Sequence, residues 1–81
     1  MLDDKELLAI RERCEKATGG PWKAFIEGRD HLCGSNFIRT AGEDIEPVGA
    51  THDDIDFISH ARQDIPLLLA EIERLKSEKQ A

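Results

Sequence analysis

The chain has 81 residues, the size of one small domain, and 35% of them are charged, with 17 acidic and 11 basic residues. Six of the acids and none of the Lys or Arg residues lie between residues 40 and 60, so this stretch accounts for the whole net charge of −6. Because proteins bind phosphate backbones through clusters of Lys and Arg, this balance argues against nucleic-acid binding.

The start of the chain and its cysteines predict a cytoplasmic protein. The first four residues, MLDD, are acidic, whereas a signal peptide begins with basic residues. Two cysteines, Cys14 and Cys33, are too few for a disulfide framework, so we expect reduced thiols. No apolar run approaches the roughly 20 residues that cross a bilayer, which argues against a membrane partner.

The first predicted element is a helix in residues 1–18. Its apolar side chains recur at steps of three and four, which places them on one helix face: Leu7, Ile10, Cys14 and Ala17. Asp3 or Asp4 is the expected N-cap, and the stop signal is Gly19-Gly20-Pro21, because proline cannot continue a helix. Cys14 is expected to be a small core residue rather than a nucleophile.

Residues 22–48 are predicted to form a β-hairpin or meander of two or three antiparallel strands. Residues 22–27 alternate, which places Trp22, Ala24 and Ile26 on one side. The second strand covers residues 32–40, with a bulge or a later start at Asn36 because of the preceding Gly-Ser pair. Residues 45–48 form a short third strand, which Pro47 restricts to the sheet edge. The helices must cover one face, because a hairpin is not stable alone.

Residues 51–79 are predicted to form two helical segments hinged at Asp64-Ile65-Pro66. Thr51 and Asp54 match a capping box, in which the hydroxyl and the carboxylate each accept from a free backbone N–H. Pro66 lacks an N–H and disfavours a helical conformation for Ile65, so the first segment should end near Asp64. The residues leave open whether the segments form one kinked helix or two separate helices.

These two segments supply most of the apolar side chains for a core. The first presents Ile55, Ile58, Ala61 and Ile65 on one face, and the second continues with coiled-coil-like steps through Leu68, Ile72 and Leu75. Leu67, Leu68 and Leu69 cannot all share one helix face. This surplus predicts a homo-oligomer, with packing against the first helix as the alternative, and its candidate interface is Ile65, Leu67, Leu68, Leu69, Ile72 and Leu75. The predicted fold class is α+β: a helix, a β-hairpin and two C-terminal helices.

The sequence contains no recognisable catalytic or metal-binding pattern. His31 and Cys33 are the only close pair among the histidines and cysteines, whereas zinc sites use paired ligands at spacings that this chain lacks. Ser35 and Cys33 have no recognisable partnered base, and Gly19-Gly20-Pro21 is a helix stop rather than a phosphate loop. We therefore expect no enzyme activity, no metal and no cofactor.

Two groups of polar residues are candidate binding sites. The first would stack on a base and grip the phosphate of a nucleotide-like anion: Trp22, Arg29, His31, Asn36 and Arg39. The second is an acidic patch that would meet a basic partner: Asp53, Asp54 and Asp56. The alternatives remain open: a tryptophan packed in the core, solvated arginines, and acids that serve solubility and the start of a helix.

Two segments of the chain resemble a known group of proteins. They are Ala17-Thr18-Gly19-Gly20-Pro21-Trp22 and a C-terminal pattern made of Asp56-Phe57-Ile58 and ARQDIPLLLAEI at 61–72. Together they resemble a loose group of small phage and prophage proteins, including Ead-like early proteins, with a TPGPW segment and a closing FIAxARxDxPxLLxE segment. Gly19 stands where that group more often has proline. The resemblance implies a phage or prophage origin, an accessory role in the host cytoplasm, and no inherited catalytic residue.

These observations give three functional hypotheses. The first is a non-enzymatic accessory protein that acts by protein–protein interaction and modulates a host enzyme or defence system. The second is a homo-oligomeric protein that sequesters a nucleotide-like anion with Arg29 and Arg39. The third is a structural oligomerisation module.

Overall fold

The computed structural model describes residues 2–32 and 34–80, the last without its side chain. The order of elements is helix α1 (Asp4–Lys16), strand β1 (Lys23–Phe25), strand β2 (Phe37–Arg39) and helix α2 (His52–Gln80). The molecule measures 53 × 21 × 21 Å. It is elongated because α2, at 29 residues and about 1.5 Å per residue, is roughly 43 Å long.

Helix α1 begins as predicted, with Asp3 as its N-cap. The Asp3 carboxylate accepts a hydrogen bond from the Glu6 N–H at 2.8 Å, which satisfies one of the free donors of the first turn. The start of α1 lies against the end of α2 through the ion pairs Asp4–Lys76 and Arg11–Glu73, so the two helices run antiparallel. No side chain of Asp4–Lys16 is buried, which means that α1 packs on α2 with only part of its apolar face.

Strands β1 and β2 pair antiparallel, with Ala24 opposite Ile38. The predicted alternation is confirmed for Ala24 and Ile26, which are buried, while Phe25 points to the other face. The core lies between the sheet and the start of α2 and consists of Ala24, Ile26, Ile38 and Ile55. Burying these four side chains removes apolar surface from water, which stabilises the folded chain.

The third predicted strand is reduced to one bridge. The Ile45 N–H and carbonyl each bond to Ile38 at 2.9 Å, and the residues on either side of Ile45 make no ladder in the described part of the chain. Pro47, two residues later, has no N–H to continue the pairing. The sheet therefore has two strands, within the predicted range of two or three.

The prediction of two C-terminal helices is wrong. One continuous helix, His52–Gln80, runs through Pro66 and is not interrupted at Asp64-Ile65-Pro66. A proline inside a helix costs about 3 kcal/mol through its missing hydrogen bond and its ring contact with the preceding turn. Packing on both sides of Pro66 offsets this cost, because Ile55 and Ser59 are buried before it and Leu69 is buried after it. The capping box of Thr51 and Asp54 is confirmed, with distances of 3.0 and 3.1 Å.

The buried face of α2 differs from the predicted apolar face. Ile55 is buried, but Ile58 and Ile65 are exposed, and the buried face continues through Ser59 instead. The Ser59 hydroxyl donates to the Ile55 carbonyl at 2.8 Å, which satisfies its donor inside the core. The helix therefore presents most of its regular apolar stripe to solvent rather than to the sheet.

Candidate functional site

The turn between α1 and β1 is held directly on α2. The Gln63 side chain accepts from the Trp22 N–H at 2.7 Å and donates to the Trp22 carbonyl at 3.2 Å, as a paired strand would. The Thr18 carbonyl accepts from Arg62 Nε at 3.1 Å and from the Trp22 indole at 3.0 Å. Gly20 fits closely there, because an added Cβ would lie 3.3 Å from the Gln63 Oε1 atom. The two segments that carry the phage-protein resemblance therefore meet in one structural unit.

This unit forms one end of an apolar groove between α1 and α2. The groove encloses about 570 Å³. It is lined by Ile10, Arg13, Cys14, Ala17, Trp22, Phe57, Ile58, Ala61, Arg62 and Ile65. Trp22 is half-buried and packs on the core from this end, so it is both a core neighbour and a groove residue. The two arginines are the only charged residues among those that line it.

The groove opens onto an apolar stripe that follows α2 for most of its length. The stripe consists of Ile58, Ala61, Ile65, Leu68, Ile72 and Leu75, and we call it the open stripe. Its steps of three, four, three, four and three residues match a heptad pattern. Leu68 is 61% exposed, and Phe57, at the edge of the stripe, is 75% exposed. Ala61 and Ile72, which lie between the exposed members of the stripe, are half-buried. Large exposed apolar patches are a common feature of interaction sites.

The three adjacent leucines, which were all candidate interface residues, point in three directions. Leu69 is 6% exposed and lies against α1, with Arg11 and Cys14 among its neighbours. Leu68 belongs to the open stripe, whereas Leu67 is exposed on a third face beside Gly20 and Pro21. Of the candidate interface residues, Ile65, Leu68, Ile72 and Leu75 form one surface, and Leu67 and Leu69 do not join it.

Sequence reasoning missed how far this stripe extends. The hydropathy pattern assigns Ile58 and Ala61 to an internal core face and Ile10 to the packed face of α1. The expected hinge at Pro66 divided the pattern into two short halves. The signal that would have found it is the unbroken three- and four-residue spacing from Ile58 to Leu75, which passes over Pro66 without changing phase.

Arg29 and two of the three acidic-patch residues, Asp54 and Asp56, are engaged within the chain. Arg29 binds Asp56 through two hydrogen bonds of 2.8 and 3.0 Å and also binds Asp30. These bonds to Arg29 lower the pKa values of the Asp56 and Asp30 carboxyl groups and raise the pKa of Arg29. In the acidic patch, Asp54 serves the capping box and Asp53 is exposed in the first turn of α2. Arg29 and Asp56 therefore join the turn after β1 to the start of α2.

We expect an Arg29→Gln variant to be less stable than the wild type near neutral pH, with a difference that shrinks in acid. The lowered carboxyl pKa values mean that the stabilisation is fully present above the unfolded-state pKa of about 4 and is lost as the pH falls through the lower folded-state values. Thermal melts of both proteins from about pH 7 to about pH 2 measure this. Lys5→Gln, which removes an equal charge from an exposed site, is the control. A difference that stays constant with pH would contradict this assignment.

Two further ligand candidates, His31 and Arg39, lie beside Phe25 and Phe37 on the outer face of the sheet. Phe25 and Phe37 stack with ring centroids 5.0 Å apart, and His31 is tilted against Phe37 at 5.1 Å. Arg39 lies over the Phe25 ring at 4.8 Å, while the Asn36 side chain accepts from the Glu27 N–H at 2.8 Å. The candidate ligand residues therefore do not come together in one site. Arg29 is held by Asp30 and Asp56, and Arg39 lies over the Phe25 ring. Trp22 lies at the groove.

Within 2–32 and 34–80, no three His, Cys, Asp or Glu side chains come together as metal ligands. The pair of His31 and Cys33 lies partly outside the described residues. Neither described helix combines the length and the hydropathy that a bilayer-crossing segment needs.

Comparison with known proteins assigns this chain to no family and no fold. No protein-family model, curated protein or solved structure matches this chain. The resemblance to small phage and prophage proteins therefore stays a prediction, and the open stripe and the groove remain the basis for assigning a function.

Proposed function

We propose that this protein acts by binding another protein chain through the open stripe and the adjoining groove, rather than by catalysis. The observation that carries the proposal is the stripe of Ile58 to Leu75, which keeps heptad spacing over about 26 Å. Four of its large side chains, Ile58, Ile65, Leu68 and Leu75, are exposed, and Ile72 is half-buried. Heptad spacing serves helix-to-helix packing, in which each apolar side chain enters a gap on a facing helix.

The groove adds a place for an anchoring side chain. Interfaces draw most of their binding energy from a few large side chains enclosed at the centre, and aromatic residues are enriched among them. Trp22 and Phe57 flank the groove, and Gln63 holds the Trp22 backbone in position. The Trp22 backbone is therefore held in position before binding, which lowers the entropy cost of association.

The resemblance to phage and prophage proteins supports an accessory role for this binding. In that setting, the protein would modulate a host enzyme or a defence protein. The acidic first turn of α2, in which Asp53 is exposed, lies outside the open stripe and would favour a basic region on such a partner.

Site-specific photo-crosslinking in producing cells tests the proposal. A photoreactive residue at Leu68 should capture a protein chain, because Leu68 belongs to the open stripe. The same residue at Leu67 is the matched control, since the two leucines are adjacent and similarly exposed, at 61% and 67%. We expect adducts at Leu68 and few at Leu67. Equal yields at both positions, or no protein adduct at either, would overturn the proposal.

A further inference from the structure

We propose that the chain bound at the open stripe is a second copy of this protein, with the two α2 helices antiparallel about a two-fold axis that passes between residues 66 and 67. This inference rests on the proposed function and names its partner. Three features carry it: the spacing of the stripe, the distribution of charge along α2, and the incomplete packing of α1.

The spacing of the stripe is complementary to itself when the second helix is reversed. In an antiparallel pair centred on Pro66 and Leu67, Ile58 lies opposite Leu75 of the second copy, and Ala61 lies opposite its Ile72. Next to the axis, Ile65 lies opposite Leu68 of the second copy. Every position of the stripe then faces an apolar position, and the large Ile72 faces the small Ala61, which allows the layers to interdigitate.

The charge of α2 favours the antiparallel orientation. Residues 52–64 contain four acids and one arginine, whereas residues 65–80 contain three acids and three bases. A parallel pair would place two acidic halves side by side. The antiparallel pair places each acidic half beside a neutral half, which contains Arg74, Lys76 and Lys79, and so reduces the repulsion between the copies.

Helix α1 supplies the rest of the interface. It has only 13 residues and no buried side chain, and isolated helices of this length are marginal in water. Ile10, Cys14 and Ala17 line the groove on the side of the open stripe. When two copies meet, the two α1–α2 pairs form a four-helix arrangement that covers both grooves.

Several large apolar side chains are available to such a pair. Phe57, Ile58, Ile65, Leu68 and Leu75 are each 38–75% exposed, and a symmetric contact would cover them in both copies. A second copy also brings its own groove, so one symmetric contact covers both exposed surfaces at once.

Disulfide trapping tests the orientation in the full-length chain. Ile58→Cys and Leu75→Cys are introduced separately into a chain in which Cys14 and Cys33 are replaced by alanine and serine. In the antiparallel pair, a disulfide dimer forms when the two variants are mixed, and little forms in either variant alone. Efficient dimers in each variant alone would show a parallel pair and overturn the inference. The absence of dimers in all three samples would also overturn it.

A pair of leucine variants tests the interface without disturbing the fold. Leu68→Glu places a charge between the copies and should raise the dissociation constant about 100-fold or more, whereas Leu67→Glu should leave it nearly unchanged. Both side chains are exposed in the single chain, so circular dichroism should stay that of the wild type. Sedimentation velocity over a concentration series measures the association. A wild type that is monomeric throughout, or two variants that associate alike, would overturn the inference.

The two proposals fail in distinguishable ways. A wild-type monomer whose Leu68 crosslinks in cells only to a different protein would overturn the second copy as partner and leave the proposed function in place. A chain that remains monomeric and captures no protein at Leu68 would overturn both.

Discussion

Replacing Ile55 with alanine is expected to lower the free energy of unfolding by about 2–5 kcal/mol, which is the usual cost of truncating a buried isoleucine. Ile55 is 0% exposed and joins α2 to the sheet through Ala24, Ile26 and Ile38. A chain of this length has a total stability of roughly 4–12 kcal/mol, so this single change removes a large part of it.

Urea denaturation followed by circular dichroism measures the effect of Ile55→Ala. Val48→Ala is the control, because Val48 is 92% exposed and its truncation should change stability by less than about 0.5 kcal/mol. Both changes are best made in a Leu68→Glu chain, so that association does not add to the measured stability. Equal losses in the two variants would contradict the position of the core.

Replacing Gln63 with methionine is expected to cost about 2–3 kcal/mol, although methionine has a similar size and suits a helix. The amide makes three hydrogen bonds, two to the Trp22 backbone and one to the Ser59 carbonyl at 2.8 Å. Removing it leaves half-buried Trp22 groups without a partner, at about 1–3 kcal/mol for each group that is fully enclosed.

Two readouts separate this effect from a general loss of stability. Trp22 is the only tryptophan, so its fluorescence should shift to longer wavelength as the turn leaves α2. Gln63→Glu keeps an acceptor for the Trp22 N–H but loses both donated bonds, so its loss should be intermediate. Unchanged melting and fluorescence in Gln63→Met would show that the amide does not hold the turn.

The features that could be predicted from the sequence are those set by neighbouring residues. The cap at Asp3, the capping box of Thr51 and Asp54, and the alternation of Ala24 and Ile26 each depend on residues a few positions apart. Helix α1 ends at Lys16, two residues before the predicted end at residue 18. Rules for neighbouring residues are sufficient to predict these features, because the donors, acceptors and apolar side chains involved are close in the chain.

The features that could not be predicted depend on distant partners. Gln63 lies on the inner side of α2 because its amide binds the Trp22 backbone, 41 residues away. Hydropathy alone assigns that inner side to Ile58 and Ile65, both of which are exposed. The continuity of α2 through Pro66 has the same origin, since packing against the sheet and α1 outweighs the local preference of proline.

Hydrogen exchange of the wild type and the Leu68→Glu variant, compared at low and high protein concentration, tests the central claim most directly. If a second chain covers the open stripe, the amides of α1 and of α2 around Leu68 exchange more slowly as the wild-type concentration rises, because α1 gains the packing that it lacks in one copy. The Leu68→Glu variant should show no such change, and the β1–β2 amides should be little affected in either protein. Identical exchange in α1 at every concentration, and in both proteins, would contradict the account.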